Sequence, residues 1–161
     1  DQTAAWERMK EDERAGRGSR ATGRPSAMDD VANALPALMR AQKLTRRAAR
    51  VGFDWPSHHE VIEKLHEELG ELLEAADPKS ETPDNVTEEL GDILFVCANL
   101  CRKLNVDAED ALRAGNRKFE KRFRAMELLA LEGGTIFSEL SLDQQEALWQ
   151  KVKAAERGVR T

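Results

Sequence analysis

The chain has 161 residues, a formal net charge of −5, and only 5% aromatic residues with no tyrosine. The acidic balance argues against general nucleic-acid binding, and no apolar run approaches the ~18 residues of a membrane span. What is left, a composition rich in Leu, Ala, Glu, Lys and Arg, is that of a helical protein.

The first residue is Asp1 rather than Met, which leads us to expect a piece of a longer protein. A short echo agrees: Trp6-x-x-x-Lys10-x-x-Glu13-Arg14 recurs as Trp149-x-x-x-Lys153-x-x-Glu156-Arg157. Residues 1–14 are therefore expected to be the tail of a preceding, duplicated domain. Residues 15–29, rich in Gly, Ser and Arg without apolar periodicity, read as a flexible linker.

The folded unit is placed at residues 30–158. A first helix is predicted over 31–50, with Val31, Leu35, Leu38, Met39 and Leu44 apolar and a basic end. Pro56 and Ser57 open a second helix, where Ser57-x-x-Glu60 has capping-box spacing. Val61, Ile62, Leu65, Leu69, Leu72, Leu73 and Ala76 then keep a 3.6-residue period. After a polar loop over 77–81, Thr82 and Pro83 are expected to start a third helix. Its seam is Leu90, Ile93, Cys97, Leu100 and Leu104. Asp107 is expected to cap a fourth helix through Met126 or beyond, with Phe119, Phe123 and Met126 inside and Gly133-Gly134 as its stop. Ser141-x-x-Gln144 is a second capping box ahead of a final helix bearing Leu148 and Trp149. No strand is predicted, so the fold class is all-α. Cys97 and Cys101, the only cysteines, are read as buried free thiols in a reducing cytosol rather than as a disulfide or metal pair.

Chemistry concentrates in two acidic pairs, Glu68-x-x-Glu71 and Glu89-x-x-Asp92, the second eighteen residues after the first. At i, i+3 spacing each pair projects from one side of its helix, and each borders the apolar stripe. Packing the two helices along those stripes would bring the pairs to one edge of a shared core. Four carboxylates in one place repel each other unless a cation sits among them. Oxygen-only ligands suit Mg²⁺ or Mn²⁺. The neighbouring Glu60, Glu63, Glu67 and Glu74 read as solvated surface acids on spacing alone. Arg113, Arg117, Lys118, Lys121 and Arg122 make the fourth helix basic, with Lys118 and Arg122 facing the same way at i, i+4. A solvated basic face is the plain reading, but opposite a carboxylate-held metal such cations are what a polyphosphate requires. Di-iron bundles instead want Glu-x-x-His, which is absent here, and His58, His59 and His66 are not read as ligands. No Gly-rich phosphate loop and no nucleophilic triad is present.

Glu67-Glu68-x-x-Glu71 followed by Glu88-Glu89-x-x-Asp92 resembles the EExxE…ExxD pattern of MazG, the all-α nucleoside triphosphate pyrophosphohydrolases. The likeness extends to Val51-Gly52-Phe53-Asp54-Trp55, to Gly91-Asp92-Ile93-Leu94-Phe95 and to Asn116-Arg117-Lys118-Phe119-x-x-Arg122-Phe123. In two-domain members of the family this stretch resembles the C-terminal, catalytic domain. The resemblance implies that Glu68, Glu71, Glu89 and Asp92 hold Mg²⁺ and that Lys118 and Arg122 contact the triphosphate. It further implies that Lys64, Glu68 and Glu88 line the nucleotide and that Trp149 meets the base or ribose; plugging the core is an equal alternative for the indole. The implied reaction is hydrolysis between the α and β phosphates, with Glu71 or Glu67 as general base, as house-cleaning of cytoplasmic nucleotide pools. Family members are homodimers whose bundles are completed between subunits. Two other readings remain open: a pyrophosphatase narrowed to dUTP, dCTP or phosphoribosyl-ATP, and a non-catalytic helical module that binds nucleotide or dimerises.

Overall fold

The computed structural model describes residues 26–77 and 85–158. Among them the regular structure is α-helix, with one 3₁₀ turn, as the all-α expectation requires. The helices are α1 (Ala37–Arg50), α2 (His58–Ala75), α3 (Val86–Lys103), α4 (Ala108–Glu132) and α5 (Leu142–Gly158). They fall into two compact units divided after Glu109.

In the first unit α3 packs on both α1 and α2. A small cluster of Ala41, Ala98 and Ala108, with Leu38 and Cys101 against it, lies at the α1 side. Small residues there allow close helix approach, and the interior is finished by polar groups. Buried Gln42 donates to the Val106 carbonyl (2.8 Å) and accepts from the Ala108 amide (3.2 Å). One side chain of α1 thus satisfies the turn that joins α3 to α4. Both cysteines are free and half-buried, and burial pushes the Cys97 thiol up from its ordinary value.

Three helices end in the same way. The Gly52 and Phe53 amides donate to the Ala49 and Ala48 carbonyls at the end of α1. Asn105 and Val106 do the same to Arg102 and Cys101 at the end of α3, and Gly134 and Thr135 to Leu131 and Ala130 at the end of α4. Each is a Schellman motif with a positive φ at its pivot, at Gly52 (88°), Asn105 (56°) and Gly134 (77°). Gly133-Gly134 therefore stops α4 as its sequence predicts, whereas the Asn105 stop was not foreseen.

Three expectations change, and the linker is described only over its last four residues. The first helix begins at Ala37, not near residue 31, because Pro36 has no amide to donate and steers Leu35 away from helical angles. Of the expected linker, residues 26–29 form a turn closed by Asp29 N to Ser26 O at 3.0 Å; residues 1–25, like Thr82 and Pro83, lie outside the described residues. The expected seam of the third helix is only partly inward. Leu90 and Leu104 are exposed, and Val96, Ala98 and Asn99 are buried in their place. Phe119, expected inside, is 59% exposed.

In the second unit Met126, Ala130 and Val152 are buried. Phe123 packs edge-on against Phe137 (5.1 Å between centroids). The Ser141 capping box forms as predicted, with the Ser141 amide on Gln144 Oε1 (2.8 Å) and the Gln144 amide on Ser141 Oγ (3.3 Å).

Candidate metal centre

The site begins with how α2 starts. Ser57 Oγ accepts from the His59 amide (3.1 Å), and Glu60 returns a carboxylate oxygen to the Ser57 amide (3.0 Å), completing the predicted box. The Ser57 hydroxyl also donates to the Glu60 carboxylate, and this bond foremost holds the Glu60 carboxyl below its ordinary value. Just ahead of this cap, Asp54 accepts from Arg102 Nη1 (3.2 Å), Arg102 Nη2 (2.5 Å) and Lys103 Nζ (2.8 Å), all at the far end of α3. Lys103 also donates to the Trp55 carbonyl. Partial burial pushes Asp54 up, but the Arg102 and Lys103 hydrogen bonds outweigh it and hold its carboxyl below the usual value. Arg102 Nε reaches Asn99 Oδ1 at 2.9 Å, and Asn99 itself is 1% exposed. The start of α2 is thereby pinned to the end of α3, so the two helices run antiparallel and their register is fixed.

That register carries Glu68, eleven residues into α2, to the first turns of α3. One carboxylate oxygen from each of Glu68, Glu89 and Asp92 lies within 4.8 Å of the others. Glu68 is buried, Glu89 half-buried and Asp92 exposed. The Glu89 carboxyl is raised above its ordinary value, first by desolvation and then by the charges of Glu71, Glu68, Asp92 and Glu88. Accumulated negative charge with only oxygen donors is a set that could hold a hard divalent cation. Among the described residues no histidine joins the group.

The two predicted pairs are therefore brought together, but unequally. Glu71 is exposed and stays outside the trio, although its charge leads those acting on Glu89. Glu67 and Glu88 are exposed as well. Lys64 bridges the doubled acid: its Nζ is 2.8 Å from Glu68 Oε1 and 3.0 Å from Glu67 Oε1, which raises its pKa, the Glu68 bond contributing most. The Asp54, Asn99, Arg102 and Lys103 network was not foreseen. Its one local signal was a polar residue, Asn99, seven positions after Asp92 on the same helical stripe.

In the second unit Lys118 is exposed. Arg122 donates through Nε (2.9 Å) and Nη2 (2.8 Å) to Glu156 Oε2, and its guanidinium lies 5.4 Å from the Trp149 ring centroid. Trp149 is half-buried and also meets Phe119 at 5.9 Å. The indole thus packs against Phe119 and under Arg122 within its own unit.

Residues 56–126 match the family model described as "MazG nucleotide pyrophosphohydrolase domain". The chain is 41% identical over 153 residues to the "Nucleoside triphosphate pyrophosphohydrolase" of Escherichia coli (strain K12), covering 95% of this chain and 56% of that protein. It is 39% identical over 151 residues to the "Nucleoside triphosphate pyrophosphohydrolase/pyrophosphatase MazG" of Thermotoga maritima, covering 94% and 55%. Against the "Uncharacterized protein YabN" of Bacillus subtilis it is 38% identical over 159 residues, covering 98% and 31%. The chain spans little more than half the length of the first two relatives.

Proposed function

This chain belongs to the MazG nucleotide pyrophosphohydrolase family, and on that premise we propose that it hydrolyses nucleoside and deoxynucleoside triphosphates between the α and β phosphates. The products are the monophosphate and pyrophosphate, the cofactor is Mg²⁺ with Mn²⁺ as substitute, and the setting is house-cleaning of cytoplasmic nucleotide pools. The observation that carries the reading is the convergence of Glu68, Glu89 and Asp92 within 4.8 Å. A divalent cation held by these acids would supply positive charge to the α-phosphate and to an attacking water. Glu71, exposed beside the trio, is the fourth acid of the site and is free to accept the water's proton; Glu67 is the second candidate for that step.

Lys64 and Glu88 are assigned to the nucleotide, Lys118 and Arg122 to the triphosphate, and Trp149 to the base or ribose. Charge-assisted hydrogen bonds from Lys118 and Arg122 would hold the departing pyrophosphate. Lys118→Glu is then expected to raise KM about tenfold or more, a loss near 1.4 kcal/mol of binding, with a smaller change in kcat. An unchanged KM removes Lys118 from the site.

We further assign the exposed pairs Leu69/Leu73 and Leu90/Leu94, each stacked at i, i+4, to contact with a second copy of the chain. Light scattering on the eluting protein should give twice the 18.1 kDa chain mass, and Leu94→Glu should halve it. A single-chain mass for the unaltered protein contradicts the dimer.

The reaction is tested by ³¹P NMR of the protein with a mixed dNTP pool, in Mg²⁺ and then in EDTA. Pyrophosphate with monophosphates, in Mg²⁺ alone, is the expected result. Orthophosphate with diphosphates places the cut at the terminal phosphate and overturns the proposal.

A further inference from the structure

One lysine meets two adjacent acids one turn further along α2. Lys64 Nζ stands 2.8 Å from Glu68 and 3.0 Å from Glu67. The two carboxylates differ in everything else. The Glu68 side chain is 6% exposed and its oxygen converges with those of Glu89 and Asp92. The Glu67 side chain is 59% exposed and belongs to no such group. One buried carboxylate therefore serves both the lysine and the acidic trio, while its neighbour serves the lysine alone. A divalent cation among the three acids brings a second positive charge beside the ammonium on Glu68, and like charges at that range disfavour each other. Because the Lys64 ammonium already bonds both acids and sits on a flexible four-carbon stem, leaving Glu68 needs only side-chain rotation.

We propose that Lys64 and a divalent cation compete for Glu68, and that Glu67 takes up the displaced ammonium. This rests on the metal-dependent reading above and gives the doubled glutamate a division of labour: one acid for the cation, one for the lysine. Cation binding moves Lys64 from a buried partner to an exposed one, where solvent weakens the pair. The ammonium is then available to a phosphate oxygen, so that cation binds before nucleotide.

The test is Mn²⁺ titration without nucleotide, read by the loss of the free-ion EPR signal, on the unaltered chain, Lys64→Gln, Lys64→Arg, Glu67→Gln and the Lys64→Gln/Glu67→Gln double variant. Circular dichroism confirms helicity in each. Lys64→Gln is expected to bind Mn²⁺ about fivefold tighter or more, Lys64→Arg to stay near the starting affinity, and Glu67→Gln to bind more weakly. The Glu67→Gln effect should shrink in the Lys64→Gln background, because the acid acts through the lysine. Equal or weaker binding by Lys64→Gln overturns the competition and makes Lys64 a positioning residue for Glu68. A Glu67→Gln effect of the same size in both backgrounds overturns the transfer to Glu67, since it is then a general charge effect. If the unaltered chain fails to bind Mn²⁺ at all, the metal reading falls and the competition with it.

Discussion

Glu89→Gln and Asp92→Asn are each expected to lower kcat by about 10²–10³-fold or more, the scale on which loss of one group that stabilises developing charge is felt. The argument starts from repulsion. Glu89 sits half-buried among Glu71, Glu68, Asp92 and Glu88, and desolvation together with their charges raises its carboxyl above the ordinary value. A raised folded-state pKa means that the ionised group opposes folding: its contribution is present at low pH and is lost as pH rises through the folded value. Without divalent cation, Glu89→Gln should therefore raise Tm at neutral pH, because it removes one of the repelling charges. In Mg²⁺ the order should reverse. The unaltered chain gains the binding free energy of the cation, and the variant, lacking one ligand, gains little. Activity and metal-free stability thus move in opposite directions, a pattern that simple misfolding cannot produce. Full turnover in either variant removes the carboxylates from the reaction.

Arg102→Met should have the largest effect on stability, about 2 kcal/mol, or roughly 4–8 °C in Tm for a chain of this length. Arg102 is 12% exposed and is the common partner of Asp54 and Asn99. Methionine fills much of the same volume but leaves Asp54 with Lys103 alone and the buried Asn99 oxygen without its donor. Asp54 keeps a quarter of its side chain in solvent, which holds the cost below that of a fully buried broken pair. The pH dependence has a definite sign. A depressed carboxylate contributes stability above its unfolded pKa and loses it as pH falls through the folded value, so acid unfolding of the parent follows Asp54 protonation. In Arg102→Met the Asp54 pKa moves back up, and acid unfolding, followed by circular dichroism, should begin at higher pH. An unchanged midpoint would show that the Asp54–Arg102 pair contributes nothing.

The parts of this protein that were legible in its sequence are those encoded within one turn of helix. Ser57-x-x-Glu60, Ser141-x-x-Gln144 and Gly133-Gly134 each specify a helix end through contacts three to five residues apart. Glu68, Glu89 and Asp92 could be singled out because the i, i+3 spacing and the apolar residues beside them set their face. Glu71, about 60° further round α2, keeps an exposed side chain outside the trio, which spacing alone does not decide. The remainder depends on partners far along the chain. Gln42 meets Val106 and Ala108 more than sixty residues away, and Asp54 meets Arg102 and Lys103 across 48 and 49 positions. Neither pairing leaves a periodic trace. The exposed leucines of α2 and α3 mark the opposite limit: periodicity identifies an apolar stripe, but it does not say what covers each part of it.

The central claim is that water attacks the α-phosphate of a nucleoside triphosphate at the acids of α2 and α3. It is tested most directly by running the Mg²⁺ reaction in H₂¹⁸O and weighing the products. Attack at the α-phosphate predicts one ¹⁸O in the nucleoside monophosphate and none in pyrophosphate. Label in pyrophosphate, or in orthophosphate, would place the attack on another phosphorus and contradict the account.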